Sequence, residues 1–284
     1  MKILITGAKG QLGTDLVEIF SADPYVELFP YNKAELDITD EAKVNEVIKR
    51  IEPDLIIHTA AYTAVDECET NWKTAFNVNS FGTYYMAKAA KKVGAAMMYI
   101  STDFIFSGEK RQPYTSADAP DPLSIYGASK LLGERFVQQL VKEFYIVRTS
   151  WVYGENGKNF VKAMLRLAEN EQTFYVVEDQ IGSPTYTKDL AAAIQQLIGK
   201  PYGIYHISNQ GVCSWFEFAQ AILKLAGYKE GLVKPISTEE YGTIAQRPAF
   251  SVLSKESIEN EGITMRHWQV ALEEFLDRKD GKYD

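Results

Sequence analysis

The chain has 284 residues, of which 46% are hydrophobic, and a formal net charge of −8 at pH 7. A chain of this length buries about three quarters of its unfolded surface, so we expect one large domain or two closely connected ones. The acidic balance and the lack of basic runs argue against nucleic acid as a partner. No apolar run reaches the roughly 20 residues of a spanning helix, so no membrane partner is predicted.

The N-terminal stretch MKILITG has one lysine and a short apolar run, whereas a secretory signal needs a longer apolar segment. We therefore expect a cytoplasmic protein. The two cysteines form no CxxC pair and the three histidines are scattered, so the sequence predicts no metal site.

Apolar runs alternate with helical patterns along the first half of the chain. The patterns predict strands at 2–6, 26–31, 54–60, 95–101 and 144–149, and helices near 11–20, 40–51, 71–93 and 126–142. This alternation is typical of a parallel sheet with helices on both faces. The strands DLIIHTA and AAMMYIS are continuous apolar runs, as strands buried on both faces should be.

Three glycines lie between the first predicted strand and the first predicted helix. They are Gly7, Gly10 and Gly13 in the stretch ITGAKGQLG. Glycine lets the backbone turn sharply and approach a pyrophosphate, and the N-terminus of the following helix favours its negative charge. Because a strand precedes the triplet and a helix follows it, we predict dinucleotide binding rather than a merely structural turn.

The second predicted strand ends in PYNKAELD, without the acidic residue that binds the ribose diol of NAD. Asn32 and Lys33 stand in that place, and Lys9 lies in the glycine loop. Cations at these positions suit a 2′-phosphate, so we predict NADPH as the preferred cofactor, with NADH possible. The alternative is that both lysines are simply solvated.

Two Tyr–Lys pairs have the four-residue spacing that brings side chains together on one helix face. Tyr84 and Lys88 lie deep in a predicted helix, roughly 20 Å from the sheet edge where ligands of open α/β sheets bind. Tyr126 and Lys130 lie in the first turns of the helix predicted at 126–142, so we expect them at the ligand-binding edge of the sheet. There Lys130 should lower the pKa of the phenol from its usual value near 10 and prepare it for proton transfer.

A third catalytic candidate closes the strand before the Tyr126 helix. Thr102 lies between Ser101 and Asp103 in YISTDFIFSG. Its hydroxyl can hydrogen-bond a substrate carbonyl while Tyr126 protonates it. Asp103 is the weaker candidate, because an Asp after a strand is often a turn former.

The second half of the chain is less regular. Strands are predicted at 173–177 and 203–208, and helices at 187–198 and 214–226. We predict an α/β fold: a Rossmann-type doubly wound parallel sheet with a smaller α+β C-terminal substrate-binding lobe. The dinucleotide-binding domain is assigned to 1–150, with 173–210 completing its sheet, and the substrate-binding lobe to 151–172 and 211–284.

Together these motifs resemble the extended short-chain dehydrogenase/reductase family. The glycine triplet, HTAAYT, STD and YGASK occur in the family's order, and ELDITD, AAYTAVDECE, STDFIFSG, RTSWVYG, DQIGSPT and RPAFSVLS extend the likeness over nearly the full length. The resemblance implies NADPH-dependent reduction of the C4 ketone of a dTDP-sugar, dTDP-6-deoxy-L-lyxo-4-hexulose.

The resemblance also implies roles for matching positions. Tyr126 would donate a proton to the C4 alkoxide, Lys130 would tune Tyr126 and hold the nicotinamide ribose, and Thr102 would orient the ketone. With the glycine loop, the predicted cofactor contacts are Gly7, Gly10, Gln11, Leu12, Gly13, Asn32, Lys33, Asp37, Ile38, Ala60, Ala61, Tyr62, Thr63, Tyr126 and Lys130. The predicted substrate contacts are Thr102, Asp103, Trp151 and Arg247. Trp151 would contact the sugar, or alternatively be a core residue. Arg247 would neutralise the substrate pyrophosphate, or alternatively be an ordinary surface arginine.

In some family members an acidic residue helps bind magnesium between subunits. Lys188 stands where that acid would align, so a metal-bridged dimer is not expected. The chain is predicted to be a monomer or a homodimer.

Two alternatives remain open. A dehydratase or epimerase of the same family would share the fold, cofactor and dyad, but dehydratases carry an Asp–Glu pair after the strand-end Thr, and here Phe104 follows Asp103. The other alternative is a non-catalytic NADP-binding subunit resembling the regulatory β subunit of methionine adenosyltransferase. Such a subunit need not keep a full catalytic set, whereas this chain keeps Thr102, Tyr126, Lys130 and Trp151.

Overall fold

The computed structural model describes residues 1–170 and 172–277. Its strands are β1 (Lys2–Thr6), β2 (Glu27–Tyr31), β3 (Leu55–His58), β4 (Ala96–Thr102), β5 (Phe144–Thr149), β6 (Val152–Tyr153), β7 (Phe174–Val177), β8 (Ile181–Gly182), β9 (Thr185–Tyr186), β10 (Gly203–His206), β11 (Cys213–Ser214) and β12 (Val233–Ile236). Its α-helices are α1 (Gln11–Ser21), α2 (Glu41–Ile51), α3 (Val65–Thr70), α4 (Trp72–Phe76), α5 (Thr83–Val93), α6 (Ile125–Leu140), α7 (Phe160–Ala168), α8 (Thr187–Leu197), α9 (Trp215–Leu225), α10 (Thr238–Tyr241), α11 (Glu256–Glu259) and α12 (Trp268–Asp277).

Six parallel strands form the central sheet, in the order β10-β5-β4-β3-β1-β2. Helices α1 and α8 pack on one face, and α2, α5 and α6 pack on the other. Residues of β1 alternate between the two cores: Ile3 and Ile5 face α1, and Leu4 faces α2. The predicted Rossmann-type doubly wound sheet is confirmed.

The helix predicted at 71–93 is present from Trp72 to Val93, with a π-helical stretch inside it. It comprises α4, the π-helical stretch at Asn77–Gly82, and α5. The wider turn of a π-helix re-aims side chains. Here the Asn79 amide donates to the Ser129 hydroxyl at 3.0 Å, and the Ser80 hydroxyl donates to the Ser129 carbonyl at 2.8 Å. Contacts with α6, distant in sequence, thus accompany the π-helical stretch.

A second lobe contains the short strand pairs β6–β9, β8–β11 and β7–β12. Its core is rich in aromatic residues, among them Tyr153, Phe218 and Phe275. Strand β10 joins the central sheet beside β5, whereas β7 pairs with β12 in this lobe. The assignment of 173–210 to the central sheet is therefore wrong for β7, because the β7 backbone is hydrogen-bonded to β12.

The remaining domain limits stay predictions, and residues 278–284 of the predicted lobe lie outside the described residues. Within the described part of the chain, no helix combines the length and apolar character needed to cross a membrane.

Candidate active site

Two adjoining cavities lie along the carboxyl edge of the central sheet. The edge cavity, of about 480 Å³, is lined by Gly7, Lys9, Gly10, Asn32, Lys33, Leu36, Asp37, Ile38, Thr59, Ala60, Ala61, Tyr62, Thr74 and Val78. The cleft, of about 710 Å³, has Gln11, Leu12, Gly13, Thr63, Thr102, Asp103, Tyr126, Lys130, Trp151 and Arg247 in its wall. Gly10, Thr59 and Ala61 line both. Every residue predicted for the site thus lines one of the two cavities, and the roles stay predictions.

The glycine loop is closely packed against the next strand end. Gly7 has a φ of +68°, and a Cβ there would lie 2.7 Å from the Thr59 hydroxyl oxygen and 2.9 Å from the Ala60 nitrogen. A Cβ at Gly13 would lie 2.9 Å from Cα of Ala8. Helix α1 begins directly after Gly10. This loop exposes backbone N–H groups at a helix N-terminus, which suits a dinucleotide pyrophosphate.

Neighbouring residues hold the side chain of Asn32 in the wall of the edge cavity. Its side-chain amide donates to Glu35 Oε2 at 2.6 Å, and its Oδ1 accepts from the N–H of Ala34 at 2.9 Å. Asp37 accepts from both the N–H and the hydroxyl of Thr39, and these bonds hold the pKa of the carboxyl below its usual value. Lys33 lines the same cavity and can face a 2′-phosphate.

Helix α6 carries Tyr126 and Lys130 into the cleft. The Ser124 hydroxyl caps the helix by accepting from the N–H of Gly127 at 3.1 Å, so Tyr126 lies in the first turn. Lys130 follows one turn later, and its Nζ donates to the Ile100 carbonyl at 2.6 Å. Both side chains are buried. The position predicted for this pair, at the sheet edge, agrees with the structure.

The predicted lowering of the Tyr126 pKa is wrong. Burial raises the pKa of Tyr126 above its usual value of 10, and the neighbouring Thr102 opposes this rise. Burial also lowers the pKa of Lys130 to about 7, against the opposing effect of Glu134. The apolar surroundings disfavour the charged form of both groups, so near neutral pH less of Lys130 is present as the ammonium that would favour the phenolate.

The second Tyr–Lys pair lies elsewhere. Lys88 forms an ion pair with Glu41 at 2.8 Å, and its Nζ lies 5.7 Å from the centroid of the Tyr84 ring. The Tyr84 ring contacts Phe136 edge-on, with 5.1 Å between centroids. Neither residue lines the edge cavity or the cleft. This arrangement supports a structural role for the pair.

Thr102 and Asp103 lie beside Tyr126 at the end of β4. The Thr102 hydroxyl donates to Asp103 Oδ1 at 3.1 Å and accepts from the N–H of Phe104 at 3.2 Å. Asp103 is 2% exposed, and burial raises the pKa of its carboxyl to about 6. Asp103 is therefore more than a turn former, because its buried carboxyl forms part of the cleft wall.

Trp151 adopts a backbone conformation that is unusual for a bulky residue, with a φ of +49°. Its indole stacks on Trp215 with 3.6 Å between centroids and 8° between the planes. Gly182 makes room for it, since a Cβ there would lie 2.6 Å from Cζ2 of the indole. Strain of this kind persists where the surroundings hold a side chain in one orientation. The indole forms part of the cleft wall, although it also packs on the second lobe.

A third cavity, the aromatic cavity of about 320 Å³, adjoins the cleft. Its wall includes Phe160, Tyr175, Tyr241, Trp151, Trp215, Asp66 and Arg247. Trp151, Trp215 and Arg247 line the cleft as well. Arg247, predicted to meet the substrate pyrophosphate, is bonded to Asp66 at 2.6 Å. It thus lies at the junction of the two cavities rather than free on the surface.

Several residues that support the site were missed in the sequence. Asn79 accepts from the N–H of Tyr62 at 2.7 Å and donates to the Tyr62 carbonyl at 3.0 Å, which ties the cofactor side to α6. Glu134 and Arg148 form a buried bidentate ion pair one turn beyond Lys130. In the sequence, the only signal for a role of Glu134 near the site is its position four residues after Lys130.

Lys188, which stands where some relatives would carry an acid, pairs with Glu155 at 3.0 Å. Across residues 1–170 and 172–277, no group of His, Cys, Asp and Glu is arranged to hold a metal ion.

The chain is similar to known proteins along nearly all of its length. The family model described as RmlD substrate binding domain matches residues 1–280. A dTDP-4-dehydrorhamnose reductase of Aggregatibacter actinomycetemcomitans is 41% identical over 284 residues, covering 95% of this chain and 97% of that protein. The chain belongs to the dTDP-4-dehydrorhamnose reductase family. The family predicted from the motifs is therefore confirmed.

Two further proteins are similar to this chain in sequence or in structure. The spore coat polysaccharide biosynthesis protein SpsK of Bacillus subtilis (strain 168) is 46% identical over 283 residues, covering 100% of this chain and 99% of SpsK. A crystal structure of dTDP-4-dehydrorhamnose reductase (rfbD) from Bacillus anthracis str. Ames, in complex with NADP, has a TM-score of 0.94. It is 44% identical and covers 98% of this chain and 99% of that one.

Proposed function

We propose that this protein reduces the C4 ketone of dTDP-4-dehydro-6-deoxy-L-mannose (dTDP-4-dehydrorhamnose) with NADPH to give dTDP-L-rhamnose. The observation that carries the proposal is the cleft itself. Thr102, Tyr126 and Lys130 lie in one wall of a cleft that adjoins a glycine-built dinucleotide cavity, in a chain of the reductase family. Relatives named dTDP-4-dehydrorhamnose reductase support the activity, and the NADP of the related structure supports the cofactor.

The residues of the cleft suit a ketone reduction. NADPH, when bound, supplies the hydride to C4. The Tyr126 hydroxyl, protonated because burial raises its pKa, donates its proton to the developing C4 alkoxide. Thr102 orients the ketone oxygen by hydrogen bonding. Lys130 holds the nicotinamide ribose and, when charged, favours transfer of the phenol proton.

The remaining predicted contacts divide between cofactor and substrate. The edge cavity takes the adenosine half, with Lys33 toward the 2′-phosphate. The aromatic cavity takes the thymidine, since stacked aromatic walls suit a base. Arg247, between that cavity and the cleft, takes the diphosphate. Trp151 and Asp103 bind the sugar.

The alternatives are less well supported. Phe104 occupies the position after Asp103 where dehydratases carry a second carboxylate, so removal of water from the sugar lacks its base. A non-catalytic NADP-binding subunit would not need Thr102, Tyr126 and Lys130 together in a cleft. The cytoplasmic location and the choice between monomer and homodimer stay predictions.

The test supplies the dTDP-keto-sugar and follows nicotinamide absorbance, with NADPH and NADH in parallel. We expect stoichiometric oxidation of cofactor. Tyr126→Phe should lower kcat by about 10²-fold or more, the usual contribution of a general acid. Tyr84→Phe is the matched control and should keep wild-type kcat.

Three results would contradict the proposal. Full activity of Tyr126→Phe with an inactive Tyr84→Phe would reverse the choice of tyrosine. Turnover without net cofactor oxidation would indicate an epimerase or a dehydratase. Failure to oxidise NADPH with any keto-deoxysugar nucleotide, together with tight binding of a partner protein, would favour the regulatory subunit.

A further inference from the structure

One carboxylate joins the two halves of the chain beside the cleft. Asp66, in the first turn of α3, accepts hydrogen bonds from both terminal nitrogens of Arg247, from NH1 at 3.1 Å and from NH2 at 2.6 Å. It also accepts from the N–H of Ala245 at 3.1 Å. Helix α3 follows the predicted cofactor turn at 61–63, whereas Arg247 lies 181 residues further along the chain.

The segment bound by Asp66, residues 241–248, is called the strap. Tyr241, Thr243 and Arg247 of the strap form part of the aromatic cavity wall. Tyr241 and Ile244 are 54% and 69% exposed, whereas Ala245 and Pro248 are buried. The bonds of Asp66 to Ala245 and Arg247 add a polar restraint at the part of the strap that lines the aromatic cavity.

Within the strap, Arg247 keeps part of its donor set free. An arginine side chain has five N–H donors in a planar fork. Two bond Asp66, and another on NH1 donates to the Ala245 carbonyl at 3.1 Å. Nε and the second N–H of NH2 take part in no hydrogen bond within the described parts of the chain. They share one edge of the guanidinium, and such an edge binds a phosphate in bidentate fashion.

We propose that Asp66 is a positioning residue, which clamps the strap and presents the free edge of Arg247 to the diphosphate of the nucleotide-sugar substrate. This inference rests on the function proposed above. Arg247 lines both the aromatic cavity and the cleft, where a diphosphate joining a nucleoside to a sugar must lie. The charge of Asp66 opposes the diphosphate, but its side chain is 44% exposed and solvent screens that repulsion. Holding Arg247 in place outweighs the repulsion.

The test measures the Kd of dTDP by calorimetry for wild type, Asp66→Ala, Arg247→Ala and the double variant. Asp66→Ala should raise the Kd of dTDP about tenfold, as expected when a charge-assisted contact loses its geometry. It should raise KM for the keto-sugar similarly and leave kcat and the Kd of NADPH within about twofold of wild type. When Arg247 is already alanine, the further change Asp66→Ala should raise the Kd of dTDP by much less than tenfold.

Glu41→Ala is the matched control. Glu41 is 41% exposed and joins two helices through an ion pair of 2.8 Å with Lys88, away from the cleft. It should leave the Kd of dTDP unchanged. If Asp66→Ala fails to fold, Asp66→Asn keeps one acceptor oxygen and should raise the Kd of dTDP by a smaller factor.

The inference is overturned if removing the Asp66 carboxylate leaves the Kd of dTDP unchanged or lowers it. An unchanged Kd with a lower melting temperature would mean a purely structural clamp, and a lower Kd would mean that the carboxylate competes with the diphosphate. Full additivity with Arg247→Ala would also overturn it, as would a wild type that does not bind dTDP. Because dTDP binding needs no turnover, a wild type that binds dTDP without reducing the keto-sugar would refute the proposed function alone.

Discussion

Replacing Lys130 by methionine should abolish reduction and yet raise the stability of the protein near neutral pH. Lys130 is 2% exposed, its Nζ donates to the Ile100 carbonyl at 2.6 Å, and the Tyr99 ring centroid lies 4.0 Å from it. Burial lowers the pKa of this lysine from 10.5 to about 7. Methionine is an unbranched, adaptable side chain that fills the space without a group to charge.

The lowering from 10.5 to about 7 corresponds to about 5 kcal/mol, at 1.36 kcal/mol per pH unit. Because the folded-state pKa lies below the unfolded-state value, the stability contribution is fully present above pH 10.5 and is lost as the pH falls through 7. The advantage of Lys130→Met over wild type in unfolding free energy should grow by about 3 kcal/mol from about pH 9.5 to about pH 6.5. The unpaired Ile100 carbonyl costs the variant about 1–3 kcal/mol at every pH.

The assay is urea unfolding of both proteins across that pH range, with NADPH oxidation measured on the same samples. Lys88→Met is the control, because pairing with Glu41 raises the pKa of Lys88. The contribution of Lys88 is present at low pH and lost only as the pH rises through its folded-state pKa, so that variant should gain no advantage toward acid pH. A pH-independent difference between Lys130→Met and wild type would refute the reasoning.

Two further substitutions test the supports of the cleft. Glu134→Gln leaves the buried guanidinium of Arg148 without its carboxylate, and urea unfolding should report a loss of about 3–5 kcal/mol; a loss near that of an exposed pair would contradict the assigned role. Gly182→Ala places a Cβ 2.7 Å from Nε1 of Trp151 and should displace the indole from Trp215, costing about 1–3 kcal/mol of stability. In kinetics it should raise KM for the sugar and leave the Kd of NADPH unchanged, and an unchanged KM would show that Trp151 does not meet the sugar.

Much of the site could be predicted from the sequence because its signals are local. The turn at Gly7, the start of α1 after Gly10 and the position of Tyr126 just after the Ser124 cap each depend on a few neighbouring residues. One general rule, that ligands bind at the carboxyl ends of parallel strands, then brings these segments together. The same rule separated the Tyr126 pair from the Tyr84 pair.

The features that the sequence did not predict depend on contacts between distant segments. Strand β7 was predicted correctly as a strand, but its partner β12 lies far along the chain, and only the folded chain assigns it to the second lobe. The helix predicted at 71–93 is present from Trp72 to Val93, but its sequence pattern gives no sign of the π-helical stretch within it. That stretch is accompanied by hydrogen bonds from Asn79 and Ser80 to α6.

The local order of glycines, strand ends and helix starts thus determined the fold class, the cofactor edge and the place of Tyr126 and Lys130 at that edge. The tertiary structure alone decided their ionisation and their supports. Burial raises the pKa of Tyr126 and lowers that of Lys130, and burial depends on every element packed around the cleft. Asp66 meets Arg247 only because chain folding brings together residues that are 181 positions apart, a proximity that no local pattern encodes.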